Sequence, residues 1–297
     1  MITPLHDKDG FFKYYTAESA KLTLAHTSRK WSTPRLFNDP FDNQFNLYYE
    51  EPSEELAEQQ LRQFHEILTS PEPLKPNQFG PMTPKAELIR QVRLQHPDLK
   101  YTDDEMAYLR EGVIEGMRRV IQYVPTMNAA IRGILADTTV FCLSETHDNL
   151  LMWSHYAQNH TGVVIKFLAL AEVDAPTIVA QPVRYSRQVP QLDFAALMDD
   201  FEKMPKEIIN VVTLTKSEVW AYEKEWRIIS GLRDKTQSYE ILPYAPEEVG
   251  TVYLGCNIAI ENKEEISEVT RRIYPKAKIF QGVKHEREFA LTFNEIT

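Results

Sequence analysis

Three stretches of this chain gather residue types that can do chemistry. The densest is Trp220-Ala221-Tyr222-Glu223-Lys224-Glu225-Trp226-Arg227. Glu223 and Glu225 stand two apart, which puts both carboxylates on one side of an extended segment. Beside two tryptophans and a tyrosine they suit a half-buried cleft. Burial and like charge there perturb carboxylate pKa values and prepare an acid–base or electrostatic role. The same pattern also reads as a salt-bridged strand edge, with Lys224 and Arg227 as partners. The second stretch runs from Ser144 to Tyr156 and carries polar residues from a predicted strand end into a predicted helix. Ser144 or Asp148 would cap that helix. Leu150, Leu151, Trp153 and Tyr156 would face the core. His155 and His160 are five apart, not the three or four that place two ligands on one helix face, so a zinc site on them is not expected. The third is Phe37-Asn38-Asp39-Pro40-Phe41-Asp42, a rigid turn anchored by Phe37 and Phe41, or a turn that shapes one pocket wall. Asp39 and Asp42 alone fall short of a metal site, and no metal is expected.

The elements that must position these groups follow from periodicity. Phe11 to Tyr15 reads as a short aromatic strand, Glu18 to His26 as a helix and Trp31 to Phe37 as extended chain. Ser53 caps a long helix with Glu54 and Glu55 in its first turn and an apolar stripe at Leu56, Leu61, Phe64 and Leu68. Ser70 to Pro84 is a proline-rich loop, and Thr83-Pro84 opens a second helix. Thr102 to Glu105 is a capping box. The helix it starts is expected to break at Pro125, with a further helix from Met127 to Leu135. Beyond that point β-branched runs dominate: Thr138 to Ser144, Gly162 to Leu168, Ile178 to Tyr185, Glu225 to Ser230, Ser238 to Leu242, Gly250 to Leu254, Lys278 to Gly282 and Glu288 to Phe293. Helices are expected at 194–201, Glu207 to Thr215 and Lys263 to Ile273. Strands and helices do not alternate, so the expected class is α+β, with a mostly antiparallel central sheet. Residues 1–297 read as one unit, with 50–136 a helical subdomain inserted into it.

Composition narrows the function. With 297 residues, 43% hydrophobic and 26% charged, the chain is globular. Only 10 glycines occur and neither a G-x-G-x-x-G nor a Walker A pattern, which argues against a phosphate-cradling glycine loop. A net charge of −10 argues against generic nucleic-acid binding. Two cysteines, Cys142 and Cys256, make no disulfide framework. No apolar run reaches the ~18 residues of a membrane span, and no secretory signal opens the chain. The expected location is cytoplasmic.

Taken together, FKYY (12–15), FNDPFD (37–42), NLLMWSHYAQNHTGVVIKF (149–167), YEKEWRII (222–229) and YLG (253–255) resemble a bacterial family known only as a domain of unknown function, family 2971. The pieces cover most of the chain. Some relatives of that family look in pattern like ADP-ribosyltransferases, and this likeness implies a set of roles at the fold level. Lys13 falls where such enzymes carry His or Arg, Phe141-Cys142-Leu143-Ser144 at their second motif, and Glu223-Lys224-Glu225 at their catalytic Glu-x-Glu. Lys13 is a departure, since it keeps charge without the planar two-donor geometry of Arg. The implied reaction cleaves the nicotinamide–ribose bond of NAD, used as a substrate. Glu225 would stabilise the oxocarbenium-like transition state and Glu223 would orient or deprotonate the acceptor. Lys13 would hold the pyrophosphate and Ser144 would line the site. Tyr14, Tyr222 or Trp153 would stack on a ring. The resemblance thus implies a transferase or NAD glycohydrolase, a defence effector against phage or rival cells, with an unidentified macromolecular acceptor. The alternative is a non-catalytic module that binds a nucleotide or a partner protein. The transferase reading requires Lys13, Ser144 and Glu225 to meet at one hollow. An acid locked by a guanidinium would leave that chemistry nowhere to happen.

Overall fold

A computed structural model describes residues 3–48, 51, 53–71, 83–96, 98–191 and 204–296. The chain divides into two compact units, one made of 1–44, 134–187 and 214–297, the other of 45–133 and 188–213. In chain order the elements are β1 (Gly10–Tyr15), α1 (Ala17–Ala25), β2 (Ser28–Ser32), α2 (Glu54–Thr69), α3 (Thr83–Gln95) and α4 (Asp103–Ala136). Then come β3 (Thr138–Ser144), α5 (Leu150–His155), β4 (Val163–Leu168), β5 (Gln181–Pro182), β6 (Arg184–Ser186), α6 (Met204–Thr213) and β7 (Thr215–Ser217). The chain closes with β8 (Glu225–Gly231), β9 (Tyr239–Pro243), β10 (Val249–Leu254), α7 (Ile260–Ile273), β11 (Lys278–Lys284) and β12 (Leu291–Glu295).

The fold is α+β. Its main sheet runs β12-β11-β10-β4-β1-β3-β2-β9, with β8 on β3 and β5 on β8. Pairing in this sheet is antiparallel except between β10 and β11, which α7 joins by a crossover. β1 pairs with β4 along its full length but shares a single register pair with β3, Phe12 with Ser144. β2 likewise meets β3 only at Ser32 and Val140. The sheet is therefore loosely joined where β1, β2 and β3 come together.

Alternation along β1 sends side chains to two cores. Phe11 and Tyr15 join a large cluster with Leu24, Ile165, Phe167, Leu254 and Ile266. Tyr14 joins a smaller one with Met152, Trp153, Ala157 and Val164. Two glycines serve close approach: a Cβ on Gly162 would lie 2.1 Å from the Tyr15 carbonyl oxygen, and one on Gly255 would lie 2.1 Å from that of His160.

Several expectations are corrected. α4 runs unbroken through Pro125: proline removes one backbone hydrogen bond, but tertiary contacts hold the chain beyond it, where Asn128 bonds to the Leu47 backbone and Ile131 is buried. After β2 the segment expected to be extended makes a 3-10 turn at Pro34–Leu36, opened by proline. The expected strand from Ile178 to Tyr185 is a 3-10 turn, Pro176–Val179, followed by the short β5 and β6. Asn149, not Ser144 or Asp148, caps α5, its side chain accepting from the Met152 amide. Phe41 and Leu151 are exposed rather than core. The helix expected at 194–201 and most of the 70–84 loop lie outside the described residues. No helix among the described residues is long and apolar enough to cross a membrane.

Candidate functional site

The weak junction of β1, β2 and β3 borders a cavity of about 360 Å³. Phe12, Lys13 and Tyr14 come from β1, Lys30 and Ser32 from β2, and Cys142 to Ser144 from β3. The turn Leu36 to Asn38 with Asp42, Met152 and His155 of α5 with Tyr156 after it, Lys216 of β7, Glu223 and the start of β8 supply most of the rest of the wall. Phe12, Ser144 and Glu225 lie in register across β1, β3 and β8, so pairing alone brings residues 213 positions apart to one place.

Five buried ionisable groups lie at the cavity. Lys216 Nζ donates to Glu223 Oε2 at 2.5 Å and to Glu225 Oε2 at 2.9 Å, and lies 3.4 Å from Asp42 Oδ2. Arg227 donates from Nε to Glu225 Oε1 at 2.8 Å and from Nη2 to Glu225 Oε2 at 3.0 Å. Arg227 Nη2 also donates to Asp42 Oδ2 at 2.6 Å. The arrangement sets three carboxylates against two cations. Such a group is costly to bury unless its members are paired and hydrogen-bonded; the cations and neighbouring donors supply most of this, and Asp42 Oδ1 alone among its carboxylate oxygens is buried without a hydrogen-bond partner among the described residues. Tyr156 donates its hydroxyl proton to Glu223 Oε1 at 2.6 Å, and the Glu225 amide donates to the Tyr185 hydroxyl at 2.7 Å.

The protonation pattern follows from this geometry. Burial works to raise the Glu225 carboxyl, but Arg227 and Lys216 outweigh it and hold the group well below the usual carboxylate range. Burial raises the Glu223 and Asp42 carboxyls, only partly opposed by the cations. Burial would lower Lys216, yet Glu225, Asp42 and Glu223 push it above its ordinary value. Tyr156 is raised by burial and by Glu223 beside it, and burial pushes Tyr185 up to about 12. Glu225 is thus a permanent anion and a poor base. Its charge is already offset by two cations, which weakens its pull on any further cation.

The residues singled out in the sequence distribute as follows. Lys13, Tyr14, Ser144, Glu223 and Glu225 line the one cavity, and each polar group among them already has a partner. Lys13 Nζ donates to the Cys142 carbonyl at 2.7 Å. Ser144 Oγ donates to the Glu223 carbonyl at 2.6 Å and accepts from the Thr146 amide. The Tyr14 hydroxyl donates to the Thr146 carbonyl at 3.0 Å. Trp153 is fully buried in the smaller core, its indole N–H donating to the His147 carbonyl, and it offers no face to the cavity. Tyr222 sits outside the lining, 3.1 Å from His155 Nδ1 through its hydroxyl. Lys224 is no partner of the glutamates: it is exposed, with φ 43°, and it turns the chain between them.

Asp39 fixes its own turn by accepting from the Phe41 amide. Asp42 belongs to the charged cluster. Among the described residues no group of three or more His, Cys, Asp or Glu side chains is arranged to hold a metal ion. Lys216 Nζ occupies the point on which the three carboxylates converge. Lys216 and Tyr156 are the members that sequence reasoning passed over as site residues. The available signal for Lys216 was a lone cation in the run VVTLTKS, where a charge must be paired if the strand is buried.

Residues 152–228 match the model of a family described as Protein of unknown function (DUF2971), and the domain family resembled in the sequence is supported over that stretch. The matched stretch includes Tyr156, Lys216, Glu223, Glu225 and Arg227. No curated protein and no solved structure matches the chain.

Proposed function

We propose that the cavity binds a small ring-bearing ligand of nucleotide type, and that the chain acts as a recognition module rather than as a NAD-cleaving enzyme. The observation that carries this reading is the double engagement of Glu225 by Arg227 and Lys216. A carboxylate so paired neither accepts a proton at neutral pH nor answers freely to a developing sugar cation. The hydroxyl of Ser144 is occupied as well. What remains open is the cavity, at the small end of the range for ligand sites. Its wall combines the rings of Phe12, Phe37 and Tyr156 with the amines of Lys13 and Lys30. Rings suit a base, and amines suit phosphate or hydroxyl oxygens.

A second reading, NAD cleavage of ADP-ribosyltransferase type, is favoured by one observation: Lys13, Ser144 and Glu225 share the cavity on β1, β3 and β8. One experiment separates the two. Thermal unfolding is followed with AMP, ADP-ribose and NAD, while nicotinamide release is assayed by chromatography. The expected result is a raised Tm with at least one of them and no nicotinamide. Saturation at about 100 times Kd corresponds to ~2.7 kcal/mol. Nicotinamide release that disappears in Glu225→Gln supports the second reading instead. No shift with any nucleotide overturns the first.

A further inference from the structure

Lys13, half-buried, is set apart from Lys216 and Arg227, the two buried cations of the cluster. Lys216 and Arg227 each touch carboxylates within ion-pair distance. Lys13 Nζ has instead the Cys142 carbonyl at 2.7 Å and the Phe141 ring centroid at 5.0 Å. Among the described residues no carboxylate forms an ion pair with it. The nearby carboxylates are engaged elsewhere, and the Phe141 face is a weak substitute for a counter-ion. Lys30, on the same wall, is exposed and keeps its hydration.

We infer that Lys13 captures a carbonyl-bearing ligand as an imine, the ligand being a sugar phosphate or nucleoside-diphosphate sugar with a free anomeric carbon. This rests on the cavity being a ligand site, as proposed above, and narrows its ligand. An amine without a counter-ion in a partly desolvated pocket is the form of lysine that attacks carbonyls. Burial lowers the pKa of Lys13, with smaller opposing influences from Cys142, Glu225 and Glu223. In the step itself, the neutral Nζ forms a C–N bond to the aldehyde carbon of the ring-opened sugar. The carbonyl C–O bond breaks, and the oxygen leaves as water with both amine hydrogens. No electrons are transferred. Lys30 supplies a solvated cation for the phosphate at the same wall.

The test uses the full chain, ribose 5-phosphate as the probe and cyanoborohydride as the added reductant that traps the imine as a secondary amine. Peptide mass mapping locates the adduct. Labelling at Lys13 is expected to be about fivefold or more faster than at Lys30. Lys30 and surface lysines labelled while Lys13 stays unmodified overturns the inference. In NAD both anomeric carbons are locked in glycosidic bonds. NAD is therefore expected to form no adduct and to slow labelling of Lys13 by occupying the same cavity. Lys13→Arg is expected to lose the adduct, but the wild-type chain decides the matter if that variant fails to fold. Nucleotide-induced stabilisation without an adduct removes the imine and leaves the binding reading standing. An adduct at Lys13 without any nucleotide effect removes the nucleotide and leaves carbonyl capture standing.

Discussion

Arg29 and Glu248 form a buried pair of one cation and one anion, while Lys216 and Arg227 face three carboxylates at the wall of a cavity. Arg29 is 1% exposed and Glu248 2%. Their charged ends lie 2.9 Å apart, and the guanidinium carbon stands 5.3 Å from the ring centroids of Phe141 and Phe167 and 5.4 Å from that of Tyr244. Three aromatic faces close that pair in, so nothing but the fold can use it. The cavity cluster is buried to a similar degree yet borders open space, and it carries one more carboxylate than its two ion-paired cations balance. A balanced, sealed pair is a structural device. An unbalanced cluster beside a hollow stores a proton or a charge that a ligand can alter.

Breaking the sealed pair has the largest expected effect. Arg29→Met leaves Glu248 uncompensated in an aromatic interior and is expected to cost ~3–5 kcal/mol, measured by urea unfolding. The double change Arg29→Met with Glu248→Leu is expected to recover most of that loss, because a buried balanced pair is replaceable by apolar packing. Arg227→Met is expected to cost ~3 kcal/mol, since Lys216 continues to neutralise part of the cluster. Adding Glu225→Leu to it is expected to restore only part of the loss, because Asp42 has also lost Arg227 and keeps Lys216 at 3.4 Å as its cation. Equal recovery at both places would erase the distinction between the two regions.

The pH dependence sharpens the contrast further. Glu225 has a lowered folded-state pKa, so its contribution is present above the usual carboxylate range and is lost as pH falls through the folded value. Glu223 and Asp42 have raised values, so their contribution is present below that range and is lost as pH rises through the folded values. Stability is therefore expected to rise on leaving strong acid and then decline toward neutral pH. Glu223→Gln is expected to flatten the decline by up to ~1.4 kcal/mol per pH unit. A decline that Glu223→Gln leaves intact would assign the proton elsewhere. The smallest expected effect is that of Tyr156→Phe, which removes one hydroxyl donor to Glu223 and is expected to cost ~1–2 kcal/mol by the same unfolding measurement.

Much of the scaffold was legible in the chain, for local reasons. The β-branched runs of β3 and β4 read as strands, and Ser53 with two following glutamates read as a helix start that Ser53 indeed caps. Boundaries failed where local preference met a competing demand. Pro125 did not end α4, and the chain after β2 turned instead of extending. The cluster was half legible: Glu223 and Glu225 stood out by spacing, and Arg227 was identified as a salt-bridge partner. Lys216 was hidden because its partners come from the distant turn at Asp42, from the last residue of the 3-10 turn Glu218–Glu223 and from Glu225 after it. Helix position placed Trp153 in the core, as found, while the stacking role implied by the resemblance fails because packing leaves it no exposed face.

The amino-acid order alone determined the α+β class, the acidic balance and the residue types on hand for chemistry, because these follow from period, propensity and charge count. Whether Glu225 stands free or is held by Arg227 and Lys216 was decided only by tertiary structure. Register between β1, β3 and β8 sets which side chains meet, and burial then sets which of them keep a proton. Neither is a property of any short stretch of chain.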